Sequence, residues 1–134
     1  MAISMFVNLP VSDVARSTEF VKALGFEVNP QFSDEKATCV VISETNFVML
    51  LRDDFFKSFI LHEICDASKY TEVIVCLMLE SREAVDEMVS KAVAAGGTNY
   101  KEPEDYGFMY QHGFRDPDGH FWEVGFMSGP PPAE

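Results

Sequence analysis

The sequence predicts an α+β fold made of two βαβββ modules, each forming a curved mixed sheet. Three observations predict it. The order strand, helix, three strands reads once between residues 5 and 51 and again between 72 and 127. Both helical stretches open on a capping side chain and close on glycine: Ser12 or Asp13 with Gly25, then Ser81 with Gly96-Gly97. The chain also carries a strong turn signal near its end, Asp116-Pro117-Asp118-Gly119, flanked by β-favouring residues.

Taken in order, Met5 to Val11 is a first strand, and the helix that follows runs to Leu24 with Val14, Phe20, Val21 and Leu24 on its apolar face. Phe26 to Phe32 is expected as a short second strand, residues 33–36 as a polar turn, and Ala37 to Ser43 as a third strand. A turn at 44–46 leads to a fourth strand, Phe47 to Leu51. The connector 53–71 carries Phe55, Phe56, Phe59, Ile60 and Leu61 at helical spacing, which suits a lid or a contact with a second subunit. Glu72 to Leu79 reads as a buried-type strand, and Ser81 caps a helix to about Ala95 with Val85, Met88, Val89, Ala92 and Val93 facing inward. Three strands follow, the last two being the hairpin Met109–Phe114 and Phe121–Met127. The chain is thus a single domain, 1–134, with module 1 at about 3–52, the connector at 53–71, module 2 at about 72–127 and a tail at 128–134.

Composition narrows the function classes. With 10 basic and 22 acidic residues among 134, the formal net charge is −12. Phosphate backbones and anionic lipid repel such a surface, so nucleic acid and membrane partners are not expected. No stretch approaches 18 consecutive apolar residues, and no signal peptide is visible. Cys39, Cys65 and Cys76 are an odd number without paired spacing, which fits a reducing cytoplasm. Cys39 and Cys76 lie in apolar strand runs and read as small core residues.

Strand alternation past the turn places Phe121, Glu123 and Gly125 on one face and His120, Trp122, Val124 and Phe126 on the other. Glu123 then sits mid-strand among large apolar neighbours, where a carboxylate is costly unless it is paired or ligated. The bland account is an ion pair with an arginine such as Arg52 or Arg115. Trp122 is expected to pack under a helix. The face taken by His112 depends on the hairpin register, which the sequence leaves open.

Asp116-Pro117-Asp118-Gly119-His120-x-x-Glu123, together with Val11-Ser12-Asp13-Val14-Ala15-Arg16, resembles the vicinal oxygen chelate superfamily, whose members include glyoxalase I, extradiol dioxygenases and bleomycin-binding proteins. The resemblance implies the glyoxalase/bleomycin-resistance-like fold. In that superfamily's metalloenzymes, ligands stand on the first and last strands of each module. Here those slots fall on Phe6, on Met49 within Val48 to Leu50, on an aliphatic among 73–75, and on Glu123. Only Glu123 keeps a ligand-type side chain, with Glu72 and His112 as the residues from which a rearranged site would have to be built. One oxygen ligand does not hold a zinc or magnesium ion, so no cofactor is expected; any divalent metal would bind at Glu123.

The resemblance and these residues together predict a glyoxalase/bleomycin-resistance-like protein that binds a small molecule in a largely apolar pocket without a complete metal site. The pocket is expected to be lined by Phe6, Asn8, Met49, Leu51, His112, Phe121 and Glu123. The alternative is a metal-dependent lyase of glyoxalase type, or a related dioxygenase, with a rearranged metal site. A homodimer is expected, since exposed Phe55, Phe56 and Phe59 would otherwise form an apolar patch without a role.

Overall fold

The computed structural model describes residues 2–130. Positions 131–134 of the expected tail lie outside the described residues. The chain is divided into two compact units between Cys65 and Asp66, inside the connector.

The first unit holds β1 (Met5–Val11), α1 (Val14–Ala23), β2 (Glu27–Val28), β3 (Ala37–Val41), β4 (Asn46–Arg52) and the short helix α2 (Asp53–Lys57). Its sheet runs β1-β4-β3-β2, with β1 and β4 parallel and the other pairs antiparallel. Asp13 caps α1 by accepting from the Arg16 N–H, and Gly25, at φ 102°, ends it in a conformation glycine adopts without strain. The expected second strand is cut to two residues. Pro30 offers no amide hydrogen to a ladder, and Pro30–Phe32 winds instead into a 3-10 turn capped by Asn29. The third strand likewise stops at Val41, two residues short of Ser43, because the Ile42 and Ser43 N–H groups turn to the Asn46 carbonyl. Leu9, Val11, Val40, Val48 and Leu50 are buried with Val14, Phe20 and Val21 of α1. A 2.5 Å hydroxyl contact between Thr18 and Thr38 ties helix to sheet.

The second unit repeats the order as β5 (Ile74–Met78), α3 (Arg82–Ala94), β6 (Glu104–Asp105), β7 (Met109–Arg115) and β8 (Phe121–Met127), in a sheet ordered β5-β8-β7-β6. Ser81 caps α3 by accepting from the Ala84 N–H, and Gly96 follows it at φ 108°. Val85, Val89 and Ala92 are buried with Tyr110, Phe114, Trp122 and Val124, whereas Val93 is largely exposed. Trp122 is 1% exposed, under the helix as expected, and stacks with Phe114. Its indole N–H donates to Asp116, which also accepts from the Asp118 and His120 amides and so locks the hairpin turn. Burial pushes the Asp116 carboxyl above the usual range, with His120 and the Trp122 bond pulling the other way.

β5 is not a buried strand. It is an edge strand, and only Val75 and Leu77 turn toward the interior. Ile74 and Met78 remain 49% and 48% exposed, and Cys76 between them is exposed too. An apolar run on both faces of an edge strand signals burial in sequence, but here one face has no cover within its own unit.

Candidate functional site

The hairpin register builds the Glu123 face row by row. Arg115 pairs with Phe121, Gly113 with Glu123, and Gln111 with Gly125, while β5 adds Ile74, Cys76 and Met78 beside the same three β8 residues. Glu123 therefore lies in the middle row of a face that is otherwise mostly apolar, its side chain 19% exposed. It accepts a hydrogen bond from the Gln111 amide, and the Lys101 ammonium stands 3.8 Å away while bonding Glu104 at 3.1 Å. Burial works against the Lys101 ammonium, but the Glu104 bond, with Tyr100 and Glu123 nearby, raises its pKa on balance. Burial, and then Glu123, push the Cys76 thiol up, Lys101 opposing them, so Cys76 stays protonated and is a poor nucleophile.

Tyr100 covers this face. Its ring meets Phe121 edge-on at 4.7 Å, and its hydroxyl lies where a side chain at position 113 would begin: a Cβ there would come within 2.5 Å of it. Gly113 is glycine because an aromatic hydroxyl and the Trp122 carbonyl occupy its space.

The register also decides His112. It pairs with Val124, on the helix side of the sheet, so it does not share a face with Glu123. It is buried, with Nε2 3.1 Å from the Lys101 carbonyl. The parity that puts Glu123 opposite Gly113 necessarily turns the next residue away. Neither expected arginine partner of Glu123 holds: Arg52 pairs with Asp54 and Arg115 stacks on Phe121. Cys76, expected in the core, flanks Glu123 instead; Cys39 is fully buried as expected. Lys101, Gln111 and Tyr100 were not foreseen as neighbours of Glu123. Alternation within Met109–Arg115 would have found Gln111 had the register been known, whereas Tyr100 and Lys101 come from a loop whose path no periodicity encodes.

In the first unit, Phe6, Asn8, Met49 and Leu51 do share one face, since Phe6 pairs with Phe47 and Asn8 with Met49. Phe6 and Phe47 stack at 4.6 Å, Phe6 still 47% exposed, while Leu51 is buried. Phe6, Met49 and Ile74 bring no oxygen or imidazole donor, Glu72 is exposed outside β5, and His112 points away. Among the described residues no group of three His, Cys, Asp or Glu side chains is placed to hold an ion. No described helix is long and apolar enough to cross a membrane.

Comparison with known proteins agrees with this architecture. A family model described as bleomycin resistance protein-like N-terminal matches residues 4–43. A hypothetical protein from S. aureus is similar at 31% identity over 94% of each chain, with a TM-score of 0.80. A glyoxalase/bleomycin resistance protein/dioxygenase family enzyme from Burkholderia phytofirmans PsJN shares the fold at 18% identity, covering 94% of this chain and 99% of that one, with a TM-score of 0.77. A glyoxalase-related enzyme from Fulvimarina pelagi does so at 16% identity, 93% and 87% coverage, and a TM-score of 0.76. No curated protein matches. Two βαβββ units closed by an Asp-Pro-Asp-Gly hairpin, with these relatives, define the class of fold: the chain has a glyoxalase/bleomycin-resistance-like fold, and its first 43 residues include a stretch similar to the bleomycin resistance protein-like N-terminal family.

Proposed function

We propose that this protein binds a small organic molecule on the Glu123 face of its second sheet, with Glu123 as the orienting acceptor and no complete metal site. The observation that carries the proposal is a four-fifths-buried carboxylate between exposed apolar Ile74 and Met78 and the Tyr100–Phe121 pair. Ligand sites in general combine an apolar lining with few, well-placed polar groups. Apolar contact there would supply affinity at roughly 25 cal/mol per Å² buried. Because Lys101 and Gln111 already answer the Glu123 charge, it acts on a ligand as a hydrogen-bond acceptor more than as a counter-ion.

The test is a thermal-shift screen that includes aromatic amines, aromatic amides and cationic glycopeptides, run on wild type and on Glu123→Gln. Hits that stabilise wild type and weaken in the variant support the site. Equal stabilisation of both proteins by every hit would sink it.

A homodimer in a reducing cytoplasm belongs to the same proposal. Phe6, Ile74 and Met78 are large apolar side chains left 47–49% exposed, and the cysteines form no disulfide. Sedimentation at micromolar concentration is expected to give twice the chain mass, and a single-chain mass would contradict the dimer.

A further inference from the structure

Among the described residues, Arg115 is the arginine that the structure leaves without a carboxylate or hydroxyl partner. Of four arginines in the sequence, Arg52 pairs with Asp54 at 2.6 Å, Arg82 pairs with Asp105 at 2.8 Å, and Arg16 bonds the Ser12 hydroxyl at 2.9 Å. Arg115 is half-buried, its Nε is sealed from solvent without a hydrogen-bond acceptor, and no carboxylate among the described residues pairs with it. Burying a guanidinium donor without a partner is costly, and 22 acidic side chains were available to supply one. Its position is nonetheless held. The guanidinium carbon lies 5.3 Å from the centre of the Phe121 ring, and Nη2 rests where the turn glycine Gly119 has no Cβ, 3.0 Å from the point a Cβ would occupy.

We propose that Arg115 is an oxyanion subsite of the Glu123 face, taking the carboxylate or phosphate of a small ligand whose body lies along Phe121 and Tyr100. This rests on the Glu123 face being the ligand face, and it adds the ligand's chemical class. A stacked guanidinium presents a planar fork of donors, which suits a two-oxygen anion. Arg115 and Glu123 sit on diagonal positions of neighbouring strands, about 7–8 Å apart at the backbone. The matching ligand carries an anion at one end and a hydrogen-bond donor part-way along its body. Glu123 does not repel it, because Lys101 answers that charge locally. Those charges of the −12 surplus that lie farther from Arg115 than the screening length of roughly 8 Å are largely screened.

The experiment titrates the full chain with benzoate, phenyl phosphate and neutral benzamide, following the Arg115 Nε–Hε signal by NMR. The same titrations are made on Arg115→Met, Arg115→Lys and Glu123→Gln, with near-ultraviolet circular dichroism as the check of folding. An anion is expected to move the Arg115 signal and to bind at least about tenfold more tightly than benzamide. Arg115→Met removes that preference, and Arg115→Lys, a charge without the fork, keeps only part of it. Benzoate binding above phenyl phosphate makes the natural group a carboxylate, and the reverse order a phosphate; either result supports the subsite. Equal affinity for benzoate and benzamide, no response at Arg115, or an unchanged preference in Arg115→Met overturns it. Should Arg115→Met not fold, the wild-type Arg115 signal and the benzoate-to-benzamide ratio decide alone. Neutral ligands that need Glu123 while anions gain nothing would remove the subsite and leave the ligand face standing. Anion binding at Arg115 that ignores Glu123→Gln would do the opposite.

Discussion

Matched through their pairings, the two sheets put different chemistry on the same lattice. Phe6, Phe47 and Val41 form a row in the first, and Ile74, Phe121 and Arg115 form it in the second. The next row is Asn8, Met49 and Cys39 in one and Cys76, Glu123 and Gly113 in the other. Met49 thus stands where Glu123 stands, and Val41 where Arg115 stands. Across these two rows the three inner strands of one module carry apolar side chains and a single amide, with Glu27 at the sheet edge, while the repeat carries a carboxylate, an ammonium and a guanidinium in corresponding space. Topology fixes where a site face lies in this fold; it does not fix the polarity of that face. The polar version also needs support that the apolar one does without: Gly113 in place of Cys39, so that Tyr100 can approach, and a loop bringing Lys101 to Glu123.

The helix-facing sides sharpen the comparison most. Trp122 and Val48 are equivalent and nearly inaccessible, but only Trp122 also satisfies a buried carboxylate. Trp122→Ala is expected to cost about 3–5 kcal/mol in chemical denaturation, well above Val48→Ala. A smaller loss at Trp122 than at Val48 would break the contrast.

Exchanging the polar residue between the modules comes next. Met49→Glu places a carboxylate in the row of Asn8 and Cys39, which supplies no cation, at an expected cost of about 1–3 kcal/mol. Glu123→Gln leaves Lys101 bonded to Glu104 and is expected to cost under about 1 kcal/mol. Equal midpoint shifts for the two variants would show that the Lys101–Gln111 support is immaterial.

Gly113→Ala tests the same support from the other side. The new Cβ would stand 2.8 Å from the Trp122 carbonyl, which is backbone and cannot swing away, so a loss of about 1–3 kcal/mol is expected. Cys39→Ala, at the equivalent place, only shortens a side chain and is expected to be milder. If Gly113→Ala folds with wild-type stability and an unmoved Tyr100 signal, the crowding is not real.

The smallest effect is a pH dependence peculiar to the second module's turn. The folded-state pKa of Asp116 is raised, so its charged form is disfavoured by folding. That penalty is absent below the unfolded-state pKa and fully present above the folded one; stability from this residue is lost as pH rises through that window and regained as it falls. Unfolding midpoints of wild type and Asp116→Asn, compared across acid to neutral pH, should diverge with this sign. A constant difference, or a wild type that gains on the variant as pH rises, would refute it.

The sequence by itself determined the order of elements, the Ser81 cap, the first cap to within Ser12 or Asp13, the closing hairpin and the parity of Glu123 against Trp122. Each of these is local: a capping oxygen three residues from its amide, a proline–glycine turn, a period of two. The membership of Phe6, Asn8, Met49 and Leu51 in one face was legible for the same reason, because alternation carries through a parallel pair once its strands are found. Tertiary structure alone decided the rest. Whether His112 joined Glu123 depended on a one-residue choice of register, which inverts every side chain of a strand and leaves no trace in composition. The partners of Glu123 came from a loop and a neighbouring strand, and the exposure of Cys76 came from β5 lying at an edge with one face uncovered in its own unit. Those outcomes are set by which backbone groups pair across the sheet, an interaction between residues far apart in the chain.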